Sequence, residues 1–403
     1  GVAFLYGDKK EALPFIQQIE QLEYEFTGAI KRLTQGGKAK IGYITGFDEL
    51  SIDPPNPYAA MQGGAPKDQV LKKLLNEVNT QFELEKIDLT SADKIPDHIQ
   101  VAVILEPKKE YTEKAKYILD QYIMRGGKLG VFVNQHKVDF ANQFMPVMPL
   151  RNGLNDFFKS YGFEIKDNII IDQNAAQVQM MQQVGPLQLP VAVDYPFAPR
   201  FAKFNKENPL VSRMNEIALF FTSSIDSVSK EGVTFTPLIQ SSDKSGFAMK
   251  DPQRNMYNIN PQQPFMYTQK HLTVAAVVEG SFRSHFSAKP DTINYPDAHI
   301  EKSSAGKILV VSDADFVKDE YLGPENAKFF MNTLDWLVDE NGLISIRNKK
   351  IEIRPLDKEI MAEASVGTRN FIKALNVYFI PFLIILFGLI KWMIRRKAKK
   401  LSI

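Results

Sequence analysis

Residues 101–134 read VAVILEPKKEYTEKAKYILDQYIMRGGKLGVFVN, and this stretch decides how the chain folds. Val101–Leu105 is an unbroken apolar run of strand length, the pattern of a strand covered on both faces. A helix is predicted from Thr112 to Arg125, closed by Gly126-Gly127. KLGVFVN then resumes as a second strand. A strand, a helix and another strand in this order make the repeating unit of a parallel sheet. Upstream, KIGYIT (Lys40–Thr45) and FELEKIDL are further candidate strands, separated by a Pro/Gly-rich loop from Asp53 to Pro66 and a helix predicted over Lys67–Asn79. Ile16, Ile19, Leu22, Phe26, Ile30 and Leu33 recur at spacings of three and four, so an amphipathic helix is expected over residues 11–34, closed by Gly36-Gly37. GVAFLYG, before it, reads as a strand. The expected fold class is α/β, a doubly wound and mostly parallel sheet.

Leu154–Tyr161 is predicted as a short helix, and FEIKDNIIID as strand. The character changes near residue 173, where Gln and Met give way to repeated prolines. Gln173–Pro209 reads as a long irregular excursion, and such loops are usually functional or mobile. Within it, Gln177–Gln183 fits either an adaptable partner surface or a disordered loop. Candidate strands follow at Ile217–Thr222, Thr234–Ile239 and Leu272–Glu279. KILVVSDADF (Lys307–Phe316) is a strand ending in acids, and Pro324–Glu340 an amphipathic helix with Pro at its start. The expected organisation is an α/β domain over 1–172, an irregular and β-rich insertion over 173–300, and a return to the first sheet over 301–350. A stem over 351–374, which includes part of the extended-looking ISIRNKKIEIRPL, completes the extracytoplasmic part.

The chain has 403 residues, 44% hydrophobic and 24% charged, enough for a sizeable core. Cysteine is absent, which excludes disulfides, thiolate-ligated metals and thiol nucleophiles. The net charge of +2 hides an asymmetry: setting aside the six basic residues from Lys391 onward leaves 43 against 47 acids, a net −4 over residues 1–390. A mildly acidic body argues against a general nucleic-acid binder.

Leu375–Ile394 reads LNVYFIPFLIILFGLIKWMI. About 20 helical residues cross a hydrocarbon core of about 30 Å, so this stretch is predicted as a transmembrane helix rather than a buried core helix. Lys391 and Trp392 sit where an interfacial belt belongs, and Pro381 lies near one end. Arg395, Arg396 and Lys397 lead a basic tail over 395–403 with no acid, placing the C-terminus in the cytoplasm. The bulk of the chain is then expected outside a bacterial cytoplasmic (inner) membrane. A domain exported ahead of this span requires a signal or second span, expected upstream of Gly1.

Chemistry enters mostly as exclusions. GxGxxG, GxxxxGK[ST] and GxSxG are missing, which argues against nucleotide loops and nucleophile-elbow hydrolases. His98, His136, His271, His285 and His299 show no metal-ligand spacing, so neither a metal nor a cofactor is expected. SDADFVKDE fails as a calcium loop, because Lys318 and Pro324 stand where Gly and Glu are needed. Asp313 and Asp315 remain as a candidate ligand or partner edge at the end of a parallel strand, against ordinary loop and cap chemistry. No catalytic residue is assigned.

Several segments in order resemble the auxiliary-component family of bacterial ABC transport systems, typified by its gliding-motility protein. They are LEYEFTGAIKRLT, KIGYITGFDE, IPDHIQVAVILEPKKEYTEKAKYILDQYIMRGGKLGVFVN, GLNDFFKSYGFEIKDNIIID, TPLIQSSDKSGFA, AAVVEGSFRSHF and KILVVSDADFVKDE followed by ENAKFFMNTLDWLVDENGLISIR. The resemblance implies an anchored extracytoplasmic protein working with a separate ABC permease and ATPase. It also implies an amidotransferase-like sheet that is non-catalytic, related to a domain of intraflagellar-transport proteins. The leading expectation is therefore a non-enzymatic accessory subunit, in a homo- or hetero-oligomer. The alternatives are a tethered receptor for a small molecule or glycan, and a hydrolase using Asp or Ser residues.

Overall fold

The computed structural model describes residues 1–13, 22–35, 37–53, 71–138, 147–184, 187–251, 256–257 and 266–338. Near the C-terminus it describes the single positions 375, 377–379, 381, 387, 391 and 392. Residues 1–349 form one compact unit and 350–403 a second.

The first unit is organised by an eight-stranded sheet. Its strands are β1 (Ala39–Thr45), β2 (Phe82–Asp88), β3 (Val101–Leu105), β4 (Lys128–Phe132), β5 (Lys203–Phe204), β6 (Val233–Gln240), β7 (Thr273–Gly280) and β8 (Gly306–Val311). Across the sheet they lie in the order β5-β6-β7-β8-β4-β3-β1-β2. From β8 to β2 every neighbouring pair is parallel. From β5 to β8 every pair is antiparallel.

Alternation along the central strands divides the core between the two faces. Val101, Val103 and Leu105 join one apolar cluster with α2 (Lys72–Gln81) and α5 (Pro324–Val338). Ala102 and Ile104 join the other, with α3 (Glu113–Met124) and the short α4 (Asn155–Lys159). Burying each large apolar side chain contributes about 1.5–3 kcal/mol, which is why strands apolar on both faces take the middle of the sheet. The Thr112 side chain caps α3 by accepting the Ala115 N–H at 3.2 Å. Gly127 lets the next strand start close beneath the helix, since a Cβ there would meet the Tyr122 ring at 2.4 Å.

Several expectations are corrected. Residues 173–300 do not stand apart as an insertion, because β5, β6 and β7 build one flank of the central sheet. TVAAVVEG lacks polar alternation, and the structure buries it on both faces between β6 and β8. Gln173–Pro209 is not irregular: Ala175–Val184 and Leu187–Phe201 form a long antiparallel hairpin. Its prolines are tolerated because they stand where no N–H is required: where Phe221 and Leu219 meet the second strand, they donate their N–H groups to the Phe197 and Pro199 carbonyls at 2.9 and 3.2 Å. Glu11–Leu13 belongs to a strand, Lys9–Leu13, paired with Val2–Tyr6 around a tight turn at Gly7; the helix is α1, Leu22–Gln35.

FEIKDNIIID splits into Phe163–Ile165 and Ile170–Asp172, which pair with different partners. Asn168 shapes the break, accepting the Ser224 N–H at 2.9 Å and, through its carbonyl, the Ser223 hydroxyl at 2.6 Å. Ile217–Thr222 keeps only two strand residues, Ile217–Ala218. The predicted Pro/Gly loop beyond Asp53, ISIRNKKIEIRPL and the stem lie outside the described residues.

In the second unit every described position from Leu375 to Trp392 is helical. Val377, Tyr378, Phe379 and Phe387 are all more than half exposed, and the Lys391 ammonium lies 5.8 Å from the centre of the Phe387 ring. Among the described residues no helix is long and apolar enough to cross a membrane. Most of Leu375–Ile394, and Arg395, Arg396 and Lys397, lie outside them.

Candidate functional site: a cleft at the strand ends

After β1 the chain runs outward to β2, then returns to place β3 on the other side of β1. That reversal opens a crevice beyond the C-terminal ends of the parallel strands, the usual ligand position in such sheets. Leu105 and Val311 both stand in register with Phe132. The residues that follow β3, β4 and β8 therefore leave the sheet side by side. They are Glu106, then Val133 and Asn134, then Ser312 to Asp315.

Glu106 turns out of β3 with φ 50°, a left-handed conformation unusual for a side chain with a Cβ. Its N–H donates to the Phe132 carbonyl at 2.9 Å. Oε1 accepts from Lys318 Nζ at 2.9 Å and from Asn134 Nδ2 at 3.3 Å. Asn134 Oδ1 accepts the Ala314 N–H at 2.7 Å, tying β4 to the turn after β8. Lys318 also bonds Asp315. Burial alone would depress the Lys318 ammonium, but Asp315 and Glu106 hold its pKa above the usual lysine value. Burial raises Asp315, with Lys318 opposing.

These groups line a cleft of about 300 Å³, together with Lys108, His136, Phe221 and Tyr321. That volume is at the small end of ligand sites. His136 Nε2 lies 2.8 Å from Asp167 Oδ1. Burial lowers the His136 pKa, and the Asp167 bond only partly offsets this. Glu49, next in the chain to the lining residue Leu50, accepts the Tyr111 hydroxyl at 2.6 Å and the Phe47 N–H at 2.7 Å. Burial raises the Glu49 pKa.

The two aspartates singled out in the sequence separate here. Asp315 lines the cleft. Asp313 is fully buried, accepts the Phe220 and Asp315 N–H groups at 2.7 and 2.6 Å, and holds the turn together. Sequence reasoning did not bring Glu106, Lys108, Asn134, His136 and Lys318 together, because 28 and 212 positions separate Glu106 from Asn134 and Lys318, which bond it. The available signal was a polar residue directly after each apolar strand, Glu106 after VAVIL and Asn134 after KLGVFV.

Hydrolytic machinery is not assembled from these groups. Ser312, the serine beside the cleft, spends its hydroxyl on the Ser223 carbonyl at 2.6 Å and on Thr222 at 2.8 Å. Ser160 meets His285 Nδ1 at 2.7 Å, but the nearby Asp120 takes the backbone N–H of His285, and among the described residues no acid orients the ring. Among the described residues no three His, Asp or Glu side chains gather as metal ligands.

A model of the family described as "ABC-type uncharacterized transport system" matches residues 38–340. An uncharacterized protein of Borreliella burgdorferi is 22% identical over 409 residues, covering 99% of this chain and 74% of its own length. The N-terminal domain of mmIFT52 is 12% identical with a TM-score of 0.45, over 75% of this chain and 99% of that one. A putative ThuA-like protein from Parabacteroides merdae is 9% identical with a TM-score of 0.32, over 75% and 90% respectively.

Proposed function

The chain belongs to the ABC-type uncharacterized transport system family, and from that premise we propose that it is a non-enzymatic accessory subunit of a bacterial ABC transporter. In this reading the α/β unit is extracytoplasmic, held by Leu375–Ile394 at the inner membrane, and couples a permease and ATPase to a substrate or envelope partner. The observation that carries it is the family match across residues 38–340. Support for the anchor comes from the apolarity of Leu375–Ile394 and the basic residues after it. Exposed Val377, Tyr378, Phe379 and Phe387 agree with a lipid-facing helix.

Support for a non-catalytic role comes from the strand-end carboxylates. Glu106 and Asp315 share Lys318, and Asp313 is consumed by backbone N–H groups. The sheet is in this view an amidotransferase-like scaffold in a chain without cysteine. A gliding-motility type of system is the finer form of the proposal, resting on the order of the sequence segments quoted above.

The test is extraction of the full-length protein from native membranes in mild detergent, with identification of stoichiometric copurifying chains. A multispanning permease with a nucleotide-binding ATPase is expected. A solitary protein, despite crosslinking before extraction, would overturn the proposal.

A further inference from the structure

The strand-end cleft supports an inference independent of the transporter partnership. Two of its lining side chains carry buried polar atoms that take no hydrogen bond among the described residues, Oε2 of Glu106 and Nδ1 of His136. Each residue is only 3% exposed. A buried acceptor left empty costs about 1–3 kcal/mol, and native proteins fill nearly all such positions. Two beside one cavity mark a place where donors from a ligand belong.

The chemistry of both atoms is the same. Asp167 as a carboxylate only accepts, so the proton of the neutral His136 ring sits on Nε2 and Nδ1 presents a lone pair. Burial disfavours the imidazolium form and keeps that lone pair available. Glu106 Oε2 is likewise an acceptor. Lys108 Nζ lies 3.2 Å from it, outside a hydrogen-bonding direction.

Charge narrows the ligand further. The acidic lining residues Glu106, Asp315 and Glu320 are matched by Lys108, Lys137 and Lys318. The lining charges therefore balance in number and favour neither an anion nor a cation. The Tyr321 and Phe221 rings add apolar faces to the wall. We propose that this cleft binds an uncharged, hydroxyl-bearing small molecule of sugar or polyol size, whose O–H groups donate to Glu106 and His136.

The test uses the full chain in detergent, labelled with ¹⁵N in its five histidines. It is titrated with glucose, mannose, N-acetylglucosamine and myo-inositol, and with inorganic phosphate and putrescine as charged probes. At least one neutral probe is expected to bind saturably and to move the Nδ1 resonance of one histidine. That response disappears in His136→Phe, and affinity falls at least tenfold in Glu106→Gln. Binding of the charged probes alone, no binding of any neutral probe, or binding indifferent to both substitutions overturns the proposal. Should a variant fail to fold, the wild-type titration decides: neutral-probe binding that leaves every Nδ1 resonance unmoved refutes it. A negative result here leaves copurification with a permease untouched, so the two proposals fail separately.

Discussion

Lys318→Met removes the cation shared by Glu106 and Asp315 while keeping most of the aliphatic stem. Lys318 Nζ stands 2.9 Å from Glu106 Oε1 and also contacts Asp315, with side-chain exposures of 16% for the lysine, 4% for Glu106 and 18% for Asp315. At about 3 Å and an effective dielectric of about 20, each contact is worth about 5 kcal/mol of gross attraction. Desolvation offsets much of that in the intact pair, but deleting one partner costs about 3–5 kcal/mol, because the remaining charges stay buried. Lys108 remains 3.2 Å from Glu106 Oε2, so the expected loss lies at the lower end, about 3 kcal/mol.

The pH dependence has a definite sign. Burial raises the folded-state pKa of Asp315, and Lys318 opposes the rise. Without the lysine the pKa climbs further. The folded state then binds a proton more tightly than the unfolded chain, and stability improves as pH falls through the folded value. Urea unfolding followed by tryptophan fluorescence should show the loss in full at about pH 7.5 and partial recovery at about pH 5. A loss below about 1 kcal/mol at neutral pH, or one that grows on acidification, would refute the ion-pair account.

Asp120→Ala is expected to destabilise by about 3 kcal/mol, because it strands several buried donors, read as a lower urea midpoint. The fully buried carboxylate accepts from Tyr161 and His285 N at 2.6 and 2.7 Å, and from Ser284 and Gln121 at 2.7 and 2.8 Å. A variant within about 1 kcal/mol of wild type would mean these donors find other partners. His136 has a folded pKa depressed below 6.5, so the native state binds fewer protons than the unfolded chain as pH drops below that value. Stability is lost toward acid pH, and the slope between about pH 6.5 and 5 should be shallower in His136→Phe; an unchanged slope would assign the titration elsewhere. The cysteine-free background permits clean labelling: an impermeant maleimide should reach Asp291→Cys in intact spheroplasts, and Ser402→Cys only after lysis. The reverse pattern would invert the proposed orientation.

The parallel half of the sheet was legible because its central strands, above all Val101–Leu105, are apolar without alternation and the helix after them carries a cap and a glycine stop, at Thr112 and Gly127. The 175–201 hairpin was hidden by Pro190, Pro196 and Pro199, which break a strand only where an N–H is needed. The first helix was expected to begin at residue 11 although its periodic apolar residues start only at Ile16, and the tight Gly7 turn pairs Glu11–Leu13 with Val2–Phe4 instead. Asp315 was visible as an acid at the end of an apolar strand. Its cleft was not, because topology alone brings Glu106, Asn134, His136 and Lys318 together. Asp313 looked equivalent in sequence, yet the backbone turn around it claims both oxygens.

The central claim is the partnership with a transporter, and crosslinking in intact native membranes followed by mass spectrometry reads it most directly, before detergent can dissolve a weak contact. The account predicts crosslinks from residues 1–338 or the Leu375–Ile394 segment to a multispanning permease whose companion carries the ATPase. Crosslinks that recur only to unrelated envelope proteins, with the permease present and unmodified, would contradict it.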